Sequence, residues 1–250
     1  MSIVYFGLDH FTPLNNGVVT SGTFDGVHDG HKVIFNSLKN IAQQINGETV
    51  VLTFWPHPRL VLTNQDIHLL STLDEKIELL KQEKIDHIII LPFTKSFSQL
   101  TSKDFIQNIL IDKIGTKKLV IGYDHKFGKN QEGSFEYLSN KNNLYPFTVQ
   151  EIPRQDLENI GISSSLIRKQ LNNGEVKQTF KLLGRPYSLS GKVIMGEQVG
   201  RKIGFPTANI QVDDKVKLIP SDGVYAVKVI INKAPYPGML NIGVRPTLNG

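Results

Sequence analysis

Ten consecutive residues carry the densest chemistry in the chain: Gly22-Thr23-Phe24-Asp25-Gly26-Val27-His28-Asp29-Gly30-His31. They lie between a short β-branched run, Gly17 to Thr20, and a stretch in which Ile34, Leu38, Ile41 and Ile45 recur at helical spacing. A strand that enters a helix through a glycine-rich turn gathers backbone N–H groups and the positive end of the helix dipole at one point, which attracts anions. The glycines let a polyphosphate approach the backbone, and two imidazoles three residues apart present donors to its oxygens. Such a turn suits a reaction in which negative charge builds on phosphates in the transition state. Two other readings stay open: a turn of purely structural use, and a metal site built from Asp25, His28 and His31.

Four further clusters have residue types that do chemistry. Ser163, Ser164, Ser165 and Arg168 put three hydroxyls and a guanidinium at a helix start. That is a clamp for a pyrophosphate, or an ordinary serine cap followed by a solvated arginine. Phe54-Trp55-Pro56-His57-Pro58 leaves a buried-strand run, TVVLTF, and its two prolines stiffen the loop; its aromatics form either a wall for a flat ring or part of the core. Asp124 follows the strand-like Leu119 to Gly122, within reach of a ribose or amino group of a nucleotide. Pro206-Thr207-Ala208-Asn209 offers a hydroxyl and an amide oxygen, hard ligands suited to Mg2+, but alone reads as an unremarkable turn.

The elements that must position these residues fall into two sets. Up to Ser163, strand runs (17–20, 49–54, 87–91, 119–122) alternate with helical patterns, including a capping box at Thr72 and Glu75 ahead of Ile77, Leu80 and Ile85, and a helix from Ser102 to Ile111. Strand, helix, strand in repetition predicts a mostly parallel sheet covered by helices, with ligands at the carboxyl ends of its strands. Two short helices follow, closed by Asn173-Gly174 and by Gly184. From Tyr187 onward the runs Ser188 to Ile194, Val224 to Ile231 and Met239 to Ile242 predict a small antiparallel, barrel-like domain, so the expected division is 1–185 and 186–250.

Composition narrows the class. Twenty-eight Lys and Arg against 23 Asp and Glu leave +5, spread along the chain, which fits an enzyme of phosphorylated substrates as well as a nucleic-acid binder. No apolar run approaches the roughly 20 residues of a membrane helix, and Met1 to His10 lacks a basic region followed by an apolar one. A soluble, cytoplasmic chain acting on small molecules, with no membrane or nucleic-acid partner, is the expectation; oligomeric state is not readable. The absence of cysteine removes disulfides, thiolate metal sites and Cys nucleophiles.

Taken together, GTFDGVHDGH resembles the His-x-Gly-His signature of the nucleotidyltransferase superfamily, and Ile162-Ser163-Ser164-Ser165-Leu166-Ile167-Arg168 resembles its second, ATP-facing signature in one branch. That branch is the bifunctional prokaryotic riboflavin kinase/FMN adenylyltransferase family, or FAD synthetases. Thr53 to Pro58, Gly122 to Gly128, Gly204-Phe205-Pro206-Thr207-Ala208-Asn209, Asp222-Gly223-Val224-Tyr225 and Asn241-Ile242-Gly243 extend the resemblance over essentially the whole chain. It implies a Rossmann-like α/β nucleotidyltransferase domain followed by an antiparallel β-barrel riboflavin kinase domain, with ATP, FMN and riboflavin as substrates and Mg2+ as the ion.

For adenylyl transfer the resemblance implies His28 and His31 on the α and β phosphates, and Ser164 and Arg168 on the leaving pyrophosphate. Gly22, Thr23, Phe24, Asp25, Gly30, Asp124, Ser163 and Ser165 would surround ATP, with Phe54, Pro56, His57 and Pro58 near the flavin. For the kinase it implies Gly191, Gly200, Gly204 and Pro206 around ATP and Thr207 and Asn209 on the metal. The chain departs from the family at His125 and Lys126, where Phe and Arg are usual. It also ends at Gly250, before the point where the family carries its kinase glutamate, so the expectation is an incomplete barrel and little kinase activity. Other His-x-Gly-His transferases and a non-catalytic nucleotide binder are the rival readings.

Overall fold

The computed structural model describes residues 2–63, 67–140, 144–153, 161–196, 198, 201 and 204–243. The chain divides into two compact units, Met1–Ser163 and Ser164–Gly250.

In the first unit, β1 (Ile3–Phe6), β2 (Gly17–Ser21), β3 (Glu48–Trp55), β4 (His87–Pro92), β5 (Thr116–Gly122) and β6 (Thr148–Ile152) form one sheet in the order β1-β4-β3-β2-β5-β6. Every pairing is parallel. Successive residues serve opposite faces: Val18, Val51, Ile88, Ile90 and Val120 pack in one cluster, and Val19, Val50, Leu52, Ile89, Leu119 and Ile121 in the other. Burial on both faces is why these strands read as continuous apolar runs and lack alternation.

Helix α1 (Asp29–Gln44) buries Phe35, Leu38, Ile41 and Ala42 on the Val18 face. After the short α2 (Pro58–Leu62), α3 (Leu73–Gln82) joins the same face with Ile77 and Leu80 and starts in the expected capping box of Thr72 and Glu75. The helix expected from Ser102 is only briefly α-helical (α4, Ser102–Asp104) and continues to Ile114 with wider, π-type turns that bury Phe105, Ile106, Ile109, Leu110 and Ile114 on the other face. A further short helix, α5, spans Phe135–Ser139.

Gly128 fixes the loop beyond β5. Its φ is +76°, and an added Cβ would stand 2.2 Å from Ser102 Oγ and 2.7 Å from the Ser102 nitrogen. Ser102 Oγ in turn donates to the carbonyl of Phe127. Gly128→Ala therefore meets both an unfavourable dihedral and backbone that cannot move aside, and we expect it to cost about 2 kcal/mol or more by urea denaturation.

The second unit opens with α6 (Ser164–Asn172) and α7 (Val176–Leu183), the latter ended by Gly184 at φ +67°. The division after Ser163 lies upstream of the 185/186 boundary expected from sequence. Local character changes near Arg185, but Leu171 already bonds within the second unit, its carbonyl accepting from Ser221 N–H at 3.0 Å. Beyond these helices, β7 (Lys192–Ile194) pairs antiparallel with β8 (Asn209–Gln211), and β9 (Gly223–Ile231) with β10 (Ala234–Ile242). These two-stranded sheets are antiparallel as expected; no closed barrel is formed among the described residues.

Candidate active site

Strand order reverses at β2. The connection out of β2 leads through α1 to β3 on one side, while β5 lies on its other side. Crevices outside the carboxyl ends of strands at such a reversal are where open α/β sheets bind ligands. The turn from Gly22 to His28 leaves β2 at that point, and Tyr123 to Phe127 leaves β5.

The turn is anchored from below. Gly22 N–H continues the β2–β3 ladder to Leu52 O at 3.0 Å, and Thr53 Oγ1 donates to Thr23 O at 3.2 Å. Phe24 is buried against Phe35. Asp25 is 1% exposed, and its carboxylate accepts from Leu70 N–H, Ser71 N–H and Ser71 Oγ at 3.0–3.2 Å. Ser71 Oγ also accepts from Gly26 N–H at 3.1 Å. Asp25, expected among the ATP contacts, thus spends these bonds holding the turn to the segment that starts α3.

Above this base the two histidines meet. The His28 and His31 rings stack with centroids 3.6 Å apart and planes 19° from parallel, and Phe24 meets His31 edge-on at 5.2 Å. His28 is the N-cap of α1, and its carbonyl accepts from His31 N–H at 2.8 Å. Gly30 makes the stack possible: a Cβ there would come within 3.1 Å of His28 Nδ1. Ile162 O lies 3.5 Å from the same point, so the chain reaches Ser163 beside the α1 N-terminus. Two donors of imidazole type over a helix N-terminus form a site for oxyanions. Among the described residues no group of three or more His, Asp or Glu is arranged to hold a metal ion.

A separate series of aromatic rings leads from the end of β3 to the loop beyond β5. Phe54, Phe93 and Phe97 lie within 6 Å of one another, and Phe97, Phe105, Phe127 and His125 carry the series to the end of β5. Phe54 is half-buried and Pro56 exposed, after a cis Trp55–Pro56 peptide. His57 is buried and caps α2, with Nδ1 accepting from Arg59 N–H at 3.1 Å, which leaves the ring proton on Nε2. Pro58 takes the first helical position, where no N–H is needed. Phe93 and Phe97 were not singled out from the sequence; the signal available was their place just beyond the β4 run.

His125 closes the crevice at the strand reversal: its Nε2 lies 3.1 Å from Ser21 Oγ at the end of β2. Burial pushes its pKa down to about 4, against the opposing pull of the Asp124 carboxylate. Asp124 itself is exposed at the mouth. A histidine that must stay neutral when folded loses its stabilising contribution as pH falls from the free value near 6.5 toward 4, because the unfolded chain takes up the proton first. We expect stability by chemical denaturation to drop across this interval by up to about 3 kcal/mol, and His125→Phe to flatten the drop.

The second unit carries the other expected residues. Ser164 and Ser165 open α6 and Arg168 follows one turn on, with Ser165 exposed and Ser164 and Arg168 half-buried. Gly191 backs onto β8, where a Cβ would stand 2.2 Å from Gln211 O, while Gly204, Pro206 and Thr207 are exposed. Asn209 begins β8 with its amide packed against Gly196. Gly200 lies outside the described residues.

Comparison with known proteins shows which family the chain belongs to. The family model for FAD synthetase matches residues 11–166, and that for riboflavin kinase matches residues 183–250. The chain belongs to the FAD synthetase family. Among curated relatives, the bifunctional riboflavin kinase/FMN adenylyltransferase of Buchnera aphidicola subsp. Schizaphis graminum is 40% identical over 246 residues, covering 96% of this chain and 78% of the relative. The protein of the same name from Listeria monocytogenes is 39% identical, covering 96% and 76%. A crystal structure described as a macrolide-efflux protein from Streptococcus pneumoniae superposes with a TM-score of 0.86 at 31% identity, covering all of this chain and 81% of that one. Among the described residues of this FAD synthetase family member, no helix is long and apolar enough to cross a membrane. The riboflavin kinase model matches residues 183–250 within the second unit, and nothing in the comparisons supports the expectation of a lost kinase activity.

Proposed function

We propose that the first unit transfers AMP from ATP to FMN, giving FAD and pyrophosphate, and that the second is the riboflavin-phosphorylating half of the same family. The observation that carries the first assignment is the His28–His31 stack on the N-terminus of α1 at the strand reversal. The names of the relatives supply the acceptor.

An oxygen of the FMN phosphate attacks the α-phosphorus of ATP, the bond from that phosphorus to the bridging oxygen breaks, and pyrophosphate leaves. FMN is already a competent nucleophile, so catalysis is alignment plus stabilisation of charge. His28 and His31 donate to the α and β phosphates as charge builds there. Ser164 and Arg168, in the stretch that resembles the family's second signature, are assigned to the pyrophosphate. Gly22, Thr23, Gly30, Ser163 and Ser165 line the path of ATP, Asp124 holds the nucleoside, and Phe54, Pro56, His57 and Pro58 border the flavin.

In the second unit the ribityl hydroxyl of riboflavin attacks the γ-phosphorus of ATP, releasing ADP and a proton. Gly191, Gly200, Gly204 and Pro206 are assigned to the nucleotide. Thr207 and Asn209 fit Mg2+ by donor type, a hydroxyl and an amide oxygen. When bound, the ion would neutralise phosphate charge there.

Chromatography of flavins after incubation with Mg·ATP tests both assignments. FAD formed from FMN and FMN formed from riboflavin are the expected products. No FAD from FMN in a folded, ATP-binding sample would overturn the first assignment, and ATP turnover without FMN from riboflavin would overturn the second.

A further inference from the structure

Beside the end of β3 lies a buried cation that the chemistry above does not use. Lys76, in the second turn of α3, is 1% exposed. Its ammonium sits 5.4 Å from the centroid of Trp55 and donates to the carbonyl of Phe54 at 3.5 Å. Burial lowers its pKa to about 8, and the Asp25 carboxylate, whose attraction acts the other way, keeps the group protonated at neutral pH. Removing an ammonium from water costs several kcal/mol, a cost that methionine or leucine at this place would not carry.

Its three neighbours belong to different parts of the site. Asp25 belongs to the phosphate turn and fastens it to Leu70 and Ser71. Phe54 and Trp55 end β3 and lead into the Pro56–Pro58 loop. Lys76 itself rides on the helix that Leu70 and Ser71 introduce. The ammonium thus lies against the wall assigned to the flavin, and its helix follows directly on the Leu70–Ser71 segment that holds the Asp25 turn.

We propose that Lys76 is a positioning residue for adenylyl transfer, coupling the His28 turn to the Phe54–Pro58 wall so that nucleotide and acceptor are aligned together. The inference rests on the reading of the first unit as an adenylyltransferase. Trp55 is the chain's sole tryptophan, so its emission reports on this cation directly.

Mg2+ with α,β-methylene-ATP, followed in parallel by calorimetry and by tryptophan fluorescence, is the test on the unaltered chain. A nucleotide-induced change in Trp55 emission supports the coupling; unchanged emission with both nucleotide sites filled overturns it. No binding at all overturns the adenylyltransferase reading and the coupling with it. Lys76→Met, which keeps the unbranched stem and drops the charge, is expected to lose the Trp55 response and to lower kcat about 10- to 100-fold with both KM values little changed. Lys76→Arg should recover most of kcat. A role in packing alone predicts the opposite split, with Tm altered and kcat per folded molecule intact, and that result would overturn the proposal. Should Lys76→Met fail to fold, the fluorescence result on the unaltered chain decides.

Discussion

Replacing His28 with alanine is expected to lower the rate of FAD formation from FMN about 10²- to 10³-fold, the scale of losing one preorganised donor to developing charge. The side chain of His28 makes no capping bond to α1, so the helix keeps its start when the ring is removed. What goes is half of a stacked pair. His31 then loses the ring face stacked on it at 3.6 Å, while the edge of Phe24 remains against it. His31→Ala should cost a similar factor, and the double variant little more than either single one, because the two rings act as a unit. Initial rates with saturating Mg·ATP and FMN provide the check. A His28→Ala protein within tenfold of the parent would remove the stack from the mechanism.

Asp25→Ala is expected to be the most destabilising single change in the turn, about 3–5 kcal/mol by denaturant titration. The loss has two parts. The N–H groups of Leu70 and Ser71 would lose the carboxylate that accepts from them in a site closed to water, and the Lys76 ammonium would lose the charge that offsets its burial. Asp25→Asn keeps an acceptor oxygen while removing the charge, so it separates the two parts and should recover the share due to hydrogen bonding. Equal stability of parent and alanine variant would show that Leu70 and Ser71 find other acceptors.

The locations of these elements were readable in the sequence because local signals and tertiary demands coincide there. Leu38 and Ile41 repeat at helical spacing and are buried in α1; Thr72 and Glu75 form the capping box their spacing announced. The edge strands were not readable. Ile3–Phe6 and Thr148–Ile152 are short and partly exposed, with Gln150 and Glu151 interrupting any apolar run, and only pairing with β4 and β5 makes them strands. Strand order likewise depends on partners far away in the chain.

The candidate site shows the same contrast. His28 and His31 announce themselves by type and spacing, but Asp25 reads as a ligand until Leu70 and Ser71, some 45 positions on, are seen to claim it. Lys76 was missed because lysine on a helix normally means solvent. The signal was present: Leu73, Lys76, Ile77 and Leu80 fall at the i, i+3, i+4, i+7 spacing of a single stripe. The aromatic series from Phe54 to His125 draws on four separate segments and exists only once the sheet is assembled.

The pairing of β2 has a consequence for how the chain is made. Val18 lies beside Thr49 on one side and Lys118 on the other, so the strand that launches the His28 turn acquires its second neighbour only after about a hundred further residues have been added. During synthesis the nascent first unit therefore holds its central strand half-covered, with Val18 and Val19 still lacking the β5 side of their environment. Chaperone occupancy on ribosome-bound chains should be high until β5 has left the exit tunnel and fall once it has, and codon changes that slow elongation just before β5 should lower the yield of folded protein more than the same changes placed after β6.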